Sequence, residues 1–192
     1  MKNKFELAPP LQVAQWLGID APPSLASLRG RVVVLHAFQM LCPACVSHGI
    51  PQAARIHHAF DRKDVAVLGL HTVFEHHAVM GPQALQAFMH EYQIPFAVAV
   101  DAPAAGSPIP LTMQAYGLCG TPSMVVLDRQ GAVRLNHFGQ LDDLRLGALL
   151  GQLVAAPAAA SASQAETANV LLPGKGSHAA QPCNTHHCVA ER

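Results

Sequence analysis

The chain has 192 residues, enough for one domain with a real core; 51% are hydrophobic, 12% are charged and the formal net charge is zero. Nucleic-acid binding would need a clustered basic footprint, which is lacking, and no stretch approaches the roughly 18 consecutive apolar residues of a membrane span. Glu6, Pro9, Pro10 and Gln12 interrupt what would have to be the apolar core of a signal peptide, so the expected location is the cytoplasm.

Residues 1–30 read as an extended lead-in, with Ala-Pro-Pro at 8–10 and 21–23 and a stop at Gly30. Residues 31–38, RVVVLHAF, form a short β-branched apolar run, the pattern of a strand buried on both faces. Val46, Ile50, Ala53, Ile56 and Phe60 then recur at helical spacing, and Pro51 should kink that helix because it removes a backbone donor. Residues 64–72 read as a second buried strand, 82–94 as a helix with Pro82 in its first turn, and 95–101 as a third strand. Residues 123–139 read as a hairpin turning at Asp128–Gly131, and 141–154 as a closing amphipathic helix with Leu146, Leu149, Leu150 and Leu153 on its apolar face. Alternating strands and helices predict an α/β fold with a parallel core to its sheet, to which the hairpin adds antiparallel strands.

The domain is therefore expected over residues 1–154. Residues 155–182, rich in Ala and Ser, read as a flexible linker, and 183–192 as a tail carrying Cys183, His186, His187 and Cys188.

Cys42-Pro43-Ala44-Cys45 sits where the first buried strand passes into its helix. In open α/β sheets, sites collect at the carboxyl ends of strands. A cysteine at a helix start lies near unpaired backbone N–H groups and the positive end of the helix dipole, which stabilise a thiolate. A second cysteine one turn on can attack a mixed disulfide formed on the first. This makes Cys42 the candidate nucleophile and Cys45 the resolving thiol. A zinc knuckle would need a second close pair, and the only other pair, Cys183 and Cys188, lies beyond the linker. Spacing and context thus favour redox chemistry over a structural metal. Far along the chain, Thr121-Pro122 stands immediately before the hairpin's first strand, where a proline avoids breaking the ladder.

The combination of VVVLHAFQMLCPAC, a proline in the following helix and Gly-Thr-Pro before VVLDRQG resembles the thioredoxin superfamily, in particular the TlpA-like and redoxin-type thiol-disulfide oxidoreductases. The likeness runs over about residues 10–154. It implies a thioredoxin fold, a central mixed sheet flanked by helices, with Pro122 in cis facing the dithiol and Thr121 offering backbone bonds to a bound peptide. It also implies an enzyme that needs no cofactor, a protein or small-molecule disulfide as substrate, and a thiol or disulfide electron donor. Without a signal peptide, the expected direction is reduction.

Three positions depart from that family. Leu41 stands where Trp usually precedes the first cysteine, and Pro51 falls six residues after Cys45, one later than usual. His36 stands where thioredoxins bury a carboxylate that assists proton transfer; an imidazole titrating near neutrality could do similar work. A hydrogen-bonded strand histidine is the alternative reading.

His71 ends the second strand on the same edge as the dithiol, either near the site or meeting solvent. Cys119, three residues before Pro122, reads as a buried inert thiol rather than a third redox group. The Cys/His tail could bind metal or reach the dithiol as a mobile thiol pair. Two other functions compete. A peroxiredoxin-like thiol peroxidase would need Pro and Thr where Leu35 and Gln39 stand, and a metal-binding or delivery protein would use the dithiol together with the tail.

Overall fold

The computed structural model describes residues 6–156. Six strands form one sheet: β1 (Val13–Leu17), β2 (Val32–Phe38), β3 (Val65–His71), β4 (Val98–Asp101), β5 (Ser123–Leu127) and β6 (Val133–Phe138). Their spatial order is β1-β4-β3-β2-β5-β6. β2, β3 and β4 run parallel; β5 is antiparallel to β2, β6 to β5, and β1 to β4. The helices are α1 (Ile50–Ala59), α2 (Pro82–Glu91), α3 (Leu111–Ala115) and α4 (Asp143–Ala155). This is the mixed, helix-flanked sheet of the thioredoxin fold.

β2 is the axis of the domain. All seven of its residues are buried, and because strand side chains alternate they feed two cores. Val32, Val34 and Phe38 join one cluster with Ile50 and Ile56 of α1, Leu85 and Met89 of α2, and Leu146, Leu150 and Leu153 of α4. Val33, Leu35 and Ala37 join the other, with Leu68, Leu70, Met113 and Tyr116. His36 has the parity of Val34 and Phe38, so it points towards the α1/α2/α4 face.

Two elements were not anticipated. β1 lies inside the expected lead-in, and α3, only five residues long, follows a proline-rich loop. They belong together. Residues 7–16 cross the face that α3 covers only in part, packing Leu11, Val13 and Trp16 against the second cluster. Leu7 bridges to Ala132 at the far edge of the sheet, Ala8 N–H donates to the Gly131 carbonyl, and the Tyr116 hydroxyl donates to the Pro9 carbonyl at 2.8 Å. Gln12 N–H donates to Thr112 Oγ1 at 2.8 Å before the chain pairs with β4.

The closing helix forms as expected. The Asp142 carboxylate caps it by accepting from Arg145 N–H at 2.9 Å. Leu146, Leu150 and Leu153 are buried, and Leu149 packs on the same cluster at its margin. The linker and tail expected after residue 154 lie, from residue 157 on, outside the described residues. No helix among the described residues is long and apolar enough to cross a membrane.

The burial of α4 is testable by substitution. Leu146→Ala should cost about 2–5 kcal/mol of unfolding free energy in urea, because a fully buried leucine leaves a cavity. Leu144→Ala, at a side chain 84% exposed, should stay within about 0.5 kcal/mol. Equal losses at both positions would contradict the packing of this helix.

Candidate active site

The chain leaves the sheet after Phe38, and the next four residues set the geometry of the dithiol. Cys42 N–H donates to the Gln39 carbonyl at 3.3 Å, closing a turn. Helical backbone begins at Pro43, a first-turn position where the missing N–H is no loss. Cys42 therefore occupies the capping position: its carbonyl accepts from Val46 N–H at 3.1 Å and its Sγ accepts from Cys45 N–H at 3.3 Å. Both cysteines are free thiols, Cys42 half-buried and Cys45 buried.

The two sulfurs are electrostatically unequal. A hydrogen bond from the Cys45 thiol is the largest influence on Cys42, and backbone N–H groups of Cys45 and Ala44 add to it against the cost of partial burial; its pKa falls to about 6. The same contact with Cys42, together with burial, drives Cys45 far upward. At neutral pH one sulfur is largely thiolate and the other is its proton-bearing partner.

Pro51 acts differently from the expected kink. It has no N–H to return to the preceding turn, and the segment Cys45–Gly49 is wound as a π-helical turn, with Ile50 N–H reaching the Cys45 carbonyl. A π turn takes up one residue more than an α turn. The extra residue between Cys45 and Pro51 is absorbed there.

That turn brings Gly49 against His36. A Cβ on Gly49 would lie 2.4 Å from His36 Cε1 and 3.2 Å from Pro122 Cβ, so only glycine fits between ring and proline. His36 is 1% exposed, its Nε2 has no hydrogen-bond partner, and burial, only partly opposed by a backbone hydrogen bond with Ser123, lowers its pKa to about 4. The sequence reading that it titrates near neutrality does not survive this burial. His36 is a neutral imidazole at physiological pH.

Thr121-Pro122 is a cis peptide. In its protonated form the Cys42 thiol can donate to the Thr121 carbonyl, 3.5 Å away. The loop is pinned on both sides: Ser123 Oγ donates to the Gly120 carbonyl at 2.7 Å, and Gly139 N–H donates to the Pro122 carbonyl at 2.8 Å. Phe138 lies over Gly120, where a Cβ would come within 2.8 Å of its ring, and it remains exposed, as does Leu41 beside Cys42.

The fold thus brings Cys42, Cys45 and Thr121 into contact and sets His36 and Pro122 around Gly49 beneath them. His71 lies one strand away, in register with Phe38, and is buried rather than meeting solvent. Cys119 is half-buried and disulfide-bonded, not an inert buried thiol. Three contributors escaped the sequence reading. Gly49 and Phe138 are two of them. The third is Gln39, a buried amide whose Oε1 accepts from Phe74 N–H at 3.4 Å and whose Nε2 donates to Glu75 at 3.3 Å, tying the dithiol turn to the loop after β3. A buried glutamine just before the cysteines was the available signal.

The model of the AhpC/TSA family matches residues 6–136. The chain belongs to that family. Among solved structures it is similar to the thioredoxin-like superfamily protein SPOA0173, at 50% identity over 79% of this chain and 97% of that one, with a TM-score of 0.77. It is similar also to a thiol-disulfide isomerase from Corynebacterium glutamicum, at 49% identity over 80% and 99% of the two chains, again with a TM-score of 0.77. A thiol:disulfide interchange protein of the thioredoxin family from Chlorobium tepidum, 18% identical with a TM-score of 0.57 over 80% and 99%, shares the fold. No curated protein matches. This AhpC/TSA member is a thiol-disulfide oxidoreductase of the thioredoxin superfamily.

Two measurements probe the site. Iodoacetamide should modify Cys42 of the reduced protein with a rate that rises with pH and is half-maximal near about 6, against about 8.5 for an ordinary thiol. A midpoint of 8 or above would refute the thiolate's stabilisation. Gly49→Ala should lower unfolding free energy by about 1–3 kcal/mol, because the new methyl collides with a ring that has nowhere to go; an unchanged urea midpoint would remove the His36–Gly49–Pro122 contact from the account.

Proposed function

We propose that Cys42 and Cys45 are the dithiol through which the protein reduces disulfides. The observation that carries this reading is the hydrogen-bonded pair itself: one half-buried sulfur held as thiolate by the thiol and N–H of the other. The Cys42 thiolate attacks a substrate disulfide, breaking the S–S bond, releasing one substrate thiolate and forming a mixed disulfide. Cys45 gives up its proton and attacks Cys42 Sγ. The Cys42–Cys45 disulfide forms, the second substrate thiol departs, and two electrons have passed to the substrate. A thiol donor then returns the couple to its reduced state.

Thr121 and Pro122 frame the approach, with the Thr121 carbonyl, its neighbouring backbone and the exposed Leu41 and Phe138 available to an extended peptide around a disulfide. His36, neutral under the helix that carries Cys45, packs against Gly49 and sets that helix's position, while the Cys45 proton leaves with the departing substrate thiol.

The reducing direction rests on the pKa of the nucleophile. A nucleophile at about 6 is closer to thioredoxin's value of about 7 than to the roughly 3.5 of a strongly oxidising dithiol, whose reduced form is over-stabilised.

The AhpC/TSA family also includes peroxidases, but here Leu35 is buried in the core and Gln39 is committed to Glu75 and Phe74. Neither can serve as the Pro and Thr of a peroxidatic motif. For the metal-delivery reading, no group of three or more His, Cys, Asp or Glu suited to an ion occurs among the described residues, and the Cys/His tail lies outside them.

Equilibration in glutathione or dithiothreitol buffers should show a Cys42–Cys45 disulfide with a midpoint more reducing than about −180 mV. Cys45→Ser should trap a mixed disulfide with insulin and stop turnover, and Cys42→Ser should abolish both trapping and turnover. If no such disulfide forms at any buffer potential, the proposal fails.

A further inference from the structure

The disulfide at Cys119 requires a partner. The chain has five cysteines. Cys42 and Cys45 are free thiols, and Cys119 is disulfide-bonded. Within one chain only Cys183 and Cys188 are left to bond it, and both belong to the C-terminal tail, outside the described residues.

The length of the chain permits that bond. Arg129 Nη2 donates to the Val154 carbonyl at 2.8 Å, so α4 ends beside the β5–β6 turn. Cys119 stands before β5 and Arg129 after it, ten residues along, a span of at most about 36 Å. The 26 residues between Ala156 and Cys183 can bridge up to about 90 Å.

The bond also lies close to the dithiol. Cys119 is half-buried and precedes by two residues Thr121, whose carbonyl lies 3.5 Å from Cys42 Sγ. Two residues span at most about 7 Å, so a sulfur bonded to Cys119 is within roughly 18 Å of the nucleophile. Held at that distance, it meets Cys42 as a disulfide in free solution would only at millimolar concentration. Hydrogen bonds from Ser123 Oγ to the Gly120 carbonyl and from Gly139 N–H to the Pro122 carbonyl give the loop a fixed base.

We propose that Cys119 and a tail cysteine, Cys183 or Cys188, form a second redox couple whose disulfide is reduced in cis by Cys42 and Cys45. The step rests on the reading of those two as the reducing dithiol. The Cys42 thiolate attacks the tail sulfur, the bond to Cys119 breaks, and Cys119 leaves as a thiolate that takes a proton from water. Cys45 then attacks Cys42 Sγ, the tail sulfur departs with the Cys45 proton, and the Cys42–Cys45 disulfide forms. Two electrons have passed from the dithiol to the tail couple, and the thiol donor restores the dithiol. The tail stays tied beside the substrate loop until reducing equivalents release it.

Trypsin separates the thiols: Cys42 and Cys45 fall on 32–55, Cys119 on 64–129 and both tail cysteines on 176–192. Mass spectrometry of the full chain, purified without reductant and alkylated before digestion, should find 64–129 joined to 176–192. At fixed, limiting dithiothreitol that link should be lost at least about tenfold faster in the unaltered chain than in Cys42→Ser. The rate constant should not change on dilution of the protein. Cys45→Ser, which stops the second attack, should accumulate 32–55 joined to 176–192. Thermal unfolding confirms that each variant folds, and should Cys42→Ser not fold, the Cys45→Ser trap decides. The inference is overturned if Cys119 is unlinked or joined to a second chain, if the link is lost equally fast without Cys42, if its loss slows on dilution, or if Cys45→Ser traps nothing. Insulin turnover of the unaltered chain, measured alongside, tests the dithiol separately: turnover that persists in any of those cases removes only the tail couple.

Discussion

A strand buried on both faces has to place every one of its side chains out of water, and in β2 one of the seven is a histidine. The surroundings of the dithiol are organised around that burden. His36 sits under the helix that follows Cys42, and its ring occupies the space that a side chain at residue 49 would need. Residue 49 is glycine, the helix is wound as a π turn over Cys45–Gly49, and Pro122 closes the ring from the other side. Alter the ring and three elements from distant parts of the chain lose their common contact. What began as a departure from the thioredoxin pattern is the piece against which the site is assembled.

Above that base, the two cysteines divide their chemistry by depth. Their sequence spacing is symmetrical, but capping is not: the sulfur at the helix start receives a backbone N–H, while the one a turn later lies buried in the core cluster. A shared hydrogen bond then lowers one pKa by raising the other. Stabilising one thiolate at its neighbour's expense readies a single nucleophile while the second stays protonated until a mixed disulfide calls on it. Gln39 and the Thr121 carbonyl fix the position of the first sulfur from either side without adding charge.

Much of this was legible in the chain because hydrophobic pattern carries it. Apolar runs located β2, β3 and the β5–β6 hairpin, and leucine spacing located α4. The Cys-x-x-C at a strand-to-helix junction, with a distant Gly-Thr-Pro, located the site. Elements that lack a periodic signal escaped. VAQWL in β1 is a poorly buried edge strand, and LTMQA in α3 is too short for helical periodicity to register. The displaced Pro51 hinted at irregularity, but whether a helix kinks or takes a π turn depends on what packs beneath it. His71 stood between a place near the site and a strand end meeting solvent because nothing local shows that its ring is buried.

The segment that runs beneath the α3 face has a consequence for how this domain is made. It touches one edge of the sheet at Ala132 and pairs with β4 at the other, and its hydrogen-bond partners at Thr112 and Tyr116 lie 100 and 107 residues further along the chain. Contacts of such sequence separation form late, because loop closure has to precede any reward. The part of the protein that leaves the ribosome early is therefore among the last to find its place. Until it does, both outer strands stand with unpaired backbone and the second core is open to water. In this family member, the nascent chain's interval of greatest exposure ends only when its beginning meets its hairpin.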